Sequence, residues 1–490
     1  NLEGAPLEST MQKHSLLSEL SYKSHHIHLQ AMSNHKKTLQ IGTLVGFILL
    51  NTITSLFSQN SDLSVQDFTW NEHRNNPYST YEVGVAVYAS PAKVNYKRAG
   101  RSILNIEFKS PVMVYQATEP QGWGFVQFPR ITRVKSENKI AVLWNLAEDD
   151  IRSTPKVGWK YSKDNGKDWF FRWKERPIIP GVFLSNQEEI TLATVNFATK
   201  TEVNATPFRE VRTKDGVLSF YRKNDLKEAQ KGIFTQKSSK KNNAITSLSA
   251  PVTNDSLILG YAYKGVLPVQ AWGKVKEYKR SELVSVQYPV FQENSNGTIE
   301  LSGLGVYKSN DYGKSWTLAS LIPYNSIGRS YSEGEFKARN GIGLSEPAIE
   351  VLSNGDIICV FRSSTGMDRD LMYQTISKDG GNTWSKPKAI AKNGVSPQLL
   401  RLGNGVTVLT SGRPGVQMRF LLDSGSSEWT DAFEMLRFKD LKGQVSCGYT
   451  GLLALDNNRL LVVYSDFRSR DAKNNPRKAI LVREVVVQKL

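Results

Sequence analysis

Ser162-Lys-Asp-Asn-Gly-Lys-Asp-Trp169, Ser309-Asn-Asp-Tyr-Gly-Lys-Ser-Trp316 and Ser377-Lys-Asp-Gly-Gly-Asn-Thr-Trp384 all read S-x-D-x-G-x-x-W. Asp423-Ser-Gly…Trp429 is a worn fourth copy. The pattern is a turn device. Its Asp caps backbone amides, its Gly takes the left-handed conformation, and its Trp packs beneath a hairpin. One such octapeptide is weak evidence; near-copies that each end a hairpin unit mark a repeat. These residues are structural and carry no catalytic assignment.

Outward from the boxes the chain reads as hairpins. Beyond residue 68 it shows short β-rich runs punctuated by Gly, Asn and Asp, without sustained helical periodicity. Five segments share a strand, a tight turn and an apolar strand; they open at Pro129, Tyr288, Glu346, Pro397 and Tyr449. Asn354-Gly355 and Asn404-Gly405 supply the positive φ that two-residue hairpins need. The last three openings are spaced by about fifty residues, a period of propeller blades. The expected fold is therefore all-β, a six-bladed β-propeller over 121–490. Seven blades is the alternative, because the interval from the first hairpin to the second holds one long blade or two compact ones. Residues 178–282 are irregular, with candidate strands at 189–197, 217–221 and 256–263, and Lys227–Lys241 reads as a solvated loop. Residues 60–120 form an N-terminal β segment, in which Tyr81–Phe108 is a candidate for the strand that closes the ring.

The chain has 490 residues, with 63 Lys+Arg against 46 Asp+Glu, for a net charge of +17. That excess of base points to an anionic partner without naming it. The lysine-rich loop lacks the interleaved aromatics of a nucleic-acid site, so no nucleic-acid partner is expected. Two cysteines, Cys359 and Cys447, exclude a disulfide scaffold and a Cys-rich zinc module. The six His have no metal-ligand spacing outside His25-His26-Ile-His28; no metal and no cofactor are expected.

The one long apolar stretch, Ile41 to Leu50, follows His35-Lys36-Lys37 and precedes Ser58-Gln59-Asn60. A basic start, a short apolar core and a polar end have the layout of a secretory signal. Residues 32–59 thus read as a signal peptide or anchor, Met32 as the start, and 1–31 as upstream sequence. The expected location is exported, with no stable membrane insertion unless the leader is uncleaved.

Particular residues stand at the hairpin openings. Phe128-Pro-Arg130-Ile131-Thr132 opens the first. Glu346 opens another, with Gly355 nine residues on and Arg362 seven after that. Arg413, in Ser411-Gly-Arg-Pro-Gly415, stands ten residues before Asp423, and Tyr449-Thr-Gly-Leu452 opens the last hairpin. Together with the boxes, these intervals resemble the sialidase (neuraminidase) superfamily, the Asp-box or BNR-repeat glycosidases, over roughly residues 120–490. The chain departs from that pattern where Pro129 precedes Arg130 instead of following Ile131. It departs again where Ala147-Glu148-Asp149 replaces an E-G-R, which puts substrate recognition around the ring in question.

The resemblance implies an arginine triad, Arg130, Arg362 and Arg413, that clamps a sugar carboxylate by charge-assisted hydrogen bonds. It implies Tyr449 as nucleophile and Glu346 as its base: a neutral tyrosine avoids the repulsion an anionic nucleophile would meet beside that carboxylate. The acid/base residue lies in the loop after the first hairpin, where Asp150 is preferred over Asp149. Arg401, Arg419 and Asp466 read as strand-face or loop residues, and Met367-Asp-Arg-Asp370 as a stretch near the pocket without a role.

The implied function is a secreted exo-glycosidase that releases sialic acid or a related acidic sugar, acting on an acidic glycan or sialoglycoconjugate. A hydrolase or lyase of uronic-acid polysaccharides on the same scaffold is the enzymatic rival. A glycan-binding propeller is the non-enzymatic one, and a base beside a tyrosine separates it from the others.

Overall fold

The computed structural model describes residues 66–69, 85–88 and 90–490, except 135–138, 151–152, 154–155, 172–180, 193–204, 214–215, 227–232, 239–244, 266–271, 329–341, 365–370, 393, 414, 423–427 and 438–443. The leader, Asp423 and the stretch Met367–Asp370 lie outside the described residues. The protein is all-β: among the described residues the strands form six mainly antiparallel sheets, joined by turns and two short 3-10 segments.

The boxes show how the sequence sets strand ends. In the first, the Ser162 hydroxyl donates to Asp164 at 2.7 Å and accepts the Gly166 amide at 2.8 Å. Asp164 Oδ1 accepts the amides of Lys167 and Asp168. Ser309–Asp311–Gly313 and Ser377–Asp379–Gly381 repeat these bonds. The glycines sit at φ 90°, 79° and 93°, open to glycine without strain. The carboxylate thus replaces the partners that the last residues of the strand lose at the turn. Hydrogen bonds from the Thr383 hydroxyl and amide hold the Asp379 carboxyl down at about 2.

The same glycines let each box press on the preceding sheet. A Cβ on Gly313 would come 2.5 Å from Ile190 of the second sheet, and one on Gly381 would come 3.3 Å from Val306 of the third. At Gly166, in the first sheet, a Cβ would come 3.0 Å from Leu461 of the last. The strands agree with this order: Gly343–Val351 packs on Trp272–Lys279 and Val395–Arg401, and Thr450–Ala454 packs on both Val395–Arg401 and Gln127–Val134. The first sheet therefore rests on the last. Pro476–Lys489, in the last sheet, pairs with two strands from the start of the chain, Arg101–Phe108 and Val112–Gln116. Val85–Ala86 joins the fifth sheet beside Phe433–Leu436. Buried Arg483 fixes this junction, donating to the carbonyls of Lys109 at 2.6 Å and Val87 at 2.7 Å. Interleaved Val, Ile, Leu and Phe fill the space between successive sheets.

Two local expectations give way. Tyr288 does not open a hairpin. It lies inside Glu282–Gln292, the second strand of its group, because Trp272–Lys279 precedes it and pairs with it. That first strand reads W-G-K-V-K-E-Y-K, and its lysines hid a strand whose alternate face is polar. Within Lys227–Lys241, Ile233–Ser238 is a strand paired with Glu189–Leu192 and Ile245–Ala250, not a loop.

Asp379→Ala should remove two amide partners from the third box. The expected loss is about 1–2 kcal/mol in urea unfolding at neutral pH. Because the folded carboxyl is depressed, that contribution is present above the unfolded value near 4 and lost as pH falls through about 2. The variant should therefore lose part of the wild-type pH dependence across that interval.

Candidate active site

Three innermost strands break register at one place. Gln127 pairs with Asn145 but Arg130 with Leu143; Ser345 pairs with Arg362 but Ala348 with Val360; Val395 pairs with Gly412 but Gln398 with Thr410. The two residues skipped are always a residue and a proline: Phe128-Pro129, Glu346-Pro347 and Ser396-Pro397. Proline has no N–H to give the ladder, so it is tolerated at a bulge. The residue before it is turned to φ 51°, 53° and 45° respectively. Such angles cost a non-glycine residue about 1–3 kcal/mol and re-aim its side chain away from the sheet face. The last sheet does this with glycine instead: Gly448 sits at φ 79° and Tyr449 follows it.

The four re-aimed residues meet. The Tyr449 hydroxyl donates a short hydrogen bond to Glu346 Oε1. Glu346 Oε2 accepts the Ser396 amide at 2.8 Å and lies 2.7 Å from Arg362 Nε in a close ion pair. The Phe128 ring stands edge-on to Tyr449, centroids 4.9 Å apart. Burial, then the charge of Glu346, pushes the Tyr449 phenol well above its ordinary value, so it is a proton donor at neutral pH. The pair is thus a neutral phenol against an anchored acceptor.

Of the three sequence-predicted arginines, Arg362 contacts Glu346 as above. Arg413, at φ 49°, donates from Nε to the Cys447 carbonyl at 3.1 Å, and its guanidinium lies 5.3 Å from the Trp123 ring centroid. Arg130 forms no hydrogen bond or ion pair among the described residues. It is exposed by area, yet surrounding protein depresses its proton affinity while Tyr449 partly restores it. Arg130 lies on Gln127–Val134, which packs against Thr450–Ala454, the strand that Tyr449 opens.

The two aspartates separate. Asp150 is engaged by Lys264 Nζ at 2.9 Å. Asp149 accepts the Trp123 indole N–H at 2.8 Å, and its charge reaches Tyr288. Tyr288 is raised well above 10, first by burial and then by Glu346, with a smaller contribution from Asp149. Asp150, expected as the acid/base residue, is held in its ion pair with Lys264.

Tyr288, Lys274, Trp123 and Ser396 belong to this cluster and were not marked in the sequence. Two signals were present. X-Pro recurs at three strand openings, which finds Ser396. The box serines find Tyr288: Ile140, Leu283 and Ile357 face Ser162, Ser309 and Ser377, and five positions on stand Asn145, Tyr288 and Arg362. Trp123 and Lys274 left no such trace.

Arg362→Met leaves the Glu346 carboxylate, 8% exposed, without its cation. It should destabilise the fold by about 3 kcal/mol or more, and adding Glu346→Gln should recover part of that loss in a double-mutant cycle of urea midpoints.

Comparisons with known proteins found no match to any family model and none to any curated protein. Among solved structures the chain shares its fold with a protein of unknown function from Dyadobacter fermentans DSM 18053, at 16% identity and a TM-score of 0.53, covering 78% of this chain and 99% of that one. It is also similar, at 14% identity and a TM-score of 0.43, to a Penicillium chrysogenum alpha-L-arabinanase complexed with arabinobiose, over 76% of this chain and 98% of that one. A variant NanB sialidase from Streptococcus pneumoniae is similar at 14% identity and a TM-score of 0.41, over 78% of this chain and 71% of that one.

Proposed function

We propose that the six sheets are the blades of a closed six-bladed propeller. On that scaffold the chain is an exported exo-glycosidase of sialidase type, releasing sialic acid or a related acidic sugar with retention of configuration. The observation that carries this reading is the Tyr449 hydroxyl donating to Glu346, with Glu346 held by Arg362 and the Ser396 amide. A binding protein gains nothing from a phenol paired to a base. A nucleophile facing an anionic sugar does, because it arrives uncharged and loses its proton only as its bond to carbon forms.

The chemistry assigns each group a part. Asp149, rather than Asp150, gives a proton to the leaving-group oxygen while Tyr449 Oη attacks the anomeric carbon and its proton passes to Glu346. Water then displaces the tyrosyl oxygen, Asp149 takes the proton from that water, and Glu346 returns one to Tyr449. Arg130, Arg362 and Arg413 hold the carboxylate. The indole N–H of Trp123 keeps Asp149 oriented between turnovers.

The full chain should release 4-methylumbelliferone from its α-sialoside. Release only from the matching uronide would move the substrate to a uronic acid, and release from neither would remove the enzymatic reading. Tyr449→Phe should lower kcat by about a thousandfold or more while acidic-sugar binding persists. Asp149→Asn should slow natural glycans more than aryl sialosides, whose leaving group needs little protonation. An equal or larger effect from Asp150→Asn would return the acid/base role to Asp150.

A further inference from the structure

The lysines around the third sheet are not alike. Lys264 is matched by Asp150 at 2.9 Å, and Lys276 by Glu350 Oε2 at 2.7 Å. Lys274 has no hydrogen-bond or ion-pair partner among the described residues. It lies on the strand Trp272–Lys279, where residues two apart share a face. Lys276 and Lys274 pair with Val284 and Val286, and the next rung on that face ends in Tyr288. The face is turned toward Gly343–Val351, since Lys276 reaches Glu350 on that strand. Lys274 therefore stands one rung from Tyr288, on the side that carries Glu346. The charge of Arg130 acts on it too. Like Arg130, it is exposed by area yet crowded by protein.

Lys274 and Arg130 repel each other, and neither has an ion-pair or hydrogen-bond partner among the described residues. The site already holds Arg362 against the Glu346 carboxylate, and Arg413 beside Trp123, whose indole N–H donates to Asp149. A site that keeps further positive charge uncompensated is set up for an anion that arrives from outside. We propose that Lys274 is an anion-binding residue of this site, which together with Arg130 holds the acidic group of the sugar on the Tyr449 side. The assignment rests on the acidic-sugar reading above and adds a fourth cation to it. It makes the charge of the sugar, more than its ring, the quantity the site selects.

Titration gives the assignment its own signature. Burial, then Arg130 and Lys276, lowers the Lys274 ammonium to about 8. Glu350 faces Lys276, Glu346 faces Tyr449 and Arg362, and Glu189 of the second sheet is turned to the Gly181 amide. Tyr288 and Tyr449 are raised well above 10, and burial raises the Cys447 thiol. Lys274 is thus the group of this cluster placed to titrate near pH 8. A bound carboxylate favours its charged form, so affinity should be full below about 8 and fall as pH rises through that value.

The test is calorimetric binding of free N-acetylneuraminic acid and free glucuronic acid to the full-length chain, with N-acetylmannosamine as the neutral control. Binding by Tyr449→Phe serves as a second background, so that loss of turnover and loss of anion binding are read separately. Lys274→Met should weaken the bound acidic sugar by about tenfold or more and remove the fall in affinity above pH 8. Lys274→Arg should bind within about threefold of wild type and stay flat to pH 10, since guanidinium keeps its proton there. Lys274→Met binding within twofold of wild type overturns the proposal even where turnover is intact. So does a tenfold loss that Lys274→Arg does not rescue, or an equal loss for the neutral sugar. A wild-type chain that binds neither acid overturns the anion site itself, whereas binding without turnover counts only against the enzymatic reading.

Discussion

Each box aspartate, Asp164, Asp311 and Asp379, accepts two backbone amides beyond the end of a third strand, while the box serine ties the turn glycine to the same loop. This small arrangement sets register. A strand shifted by one residue would carry its apolar face to the wrong side, so fixing one end fixes the whole sheet. The glycine also removes the side chain that would hold neighbouring sheets apart, and so the turn that sets register within a sheet also seats it on the one before. Fixed register then carries to the opposite end of the second strand, where Asn145, Tyr288 and Arg362 are delivered to a common level.

At that level the regular ladder is deliberately broken. The X-Pro bulges trade two rungs of pairing and an unfavourable φ for a side chain aimed off the sheet. None of these residues would meet another on ideal strands. Bulged, they bring a phenyl ring and a carboxylate against Tyr449 and a backbone amide against that carboxylate. Glu346 bears the consequence most directly: one oxygen is committed to the phenol, the other to Arg362 and Ser396.

The electrostatics follow from the same packing. Burial raises Tyr449 and Tyr288 and lowers Arg130 and Lys274, so these groups resist forming charges they do not already have and hold those they have at a cost. The net charge of +17 is silent about this. What matters is that Lys264 and Lys276 are spent on Asp150 and Glu350 while Arg130 and Lys274 remain without partners among the described residues.

Much of this was legible in the chain alone. The octapeptides, the Asn-Gly turns and the alternating strands carry their own local chemistry, so the all-β fold and four of the hairpins follow from residues close together in sequence. The pairing of Glu346 with Tyr449 was reached through the family resemblance, whereas the ion pair of Glu346 with Arg362 came only from the structure. Other features had no local signature. Trp272–Lys279 is a strand because Glu282–Gln292 pairs with it, and its lysines conceal that from any periodicity. Asp149 and Asp150 are neighbours of the same type, and only their distant partners, Trp123 and Lys264, distinguish them. Lys274 is one lysine among many until strand pairing sets it one rung from Tyr288. Sequence determined what each segment does with its own backbone. Tertiary structure decided which charges stand unpaired, because pairing depends on groups that are distant along the chain and adjacent only in space.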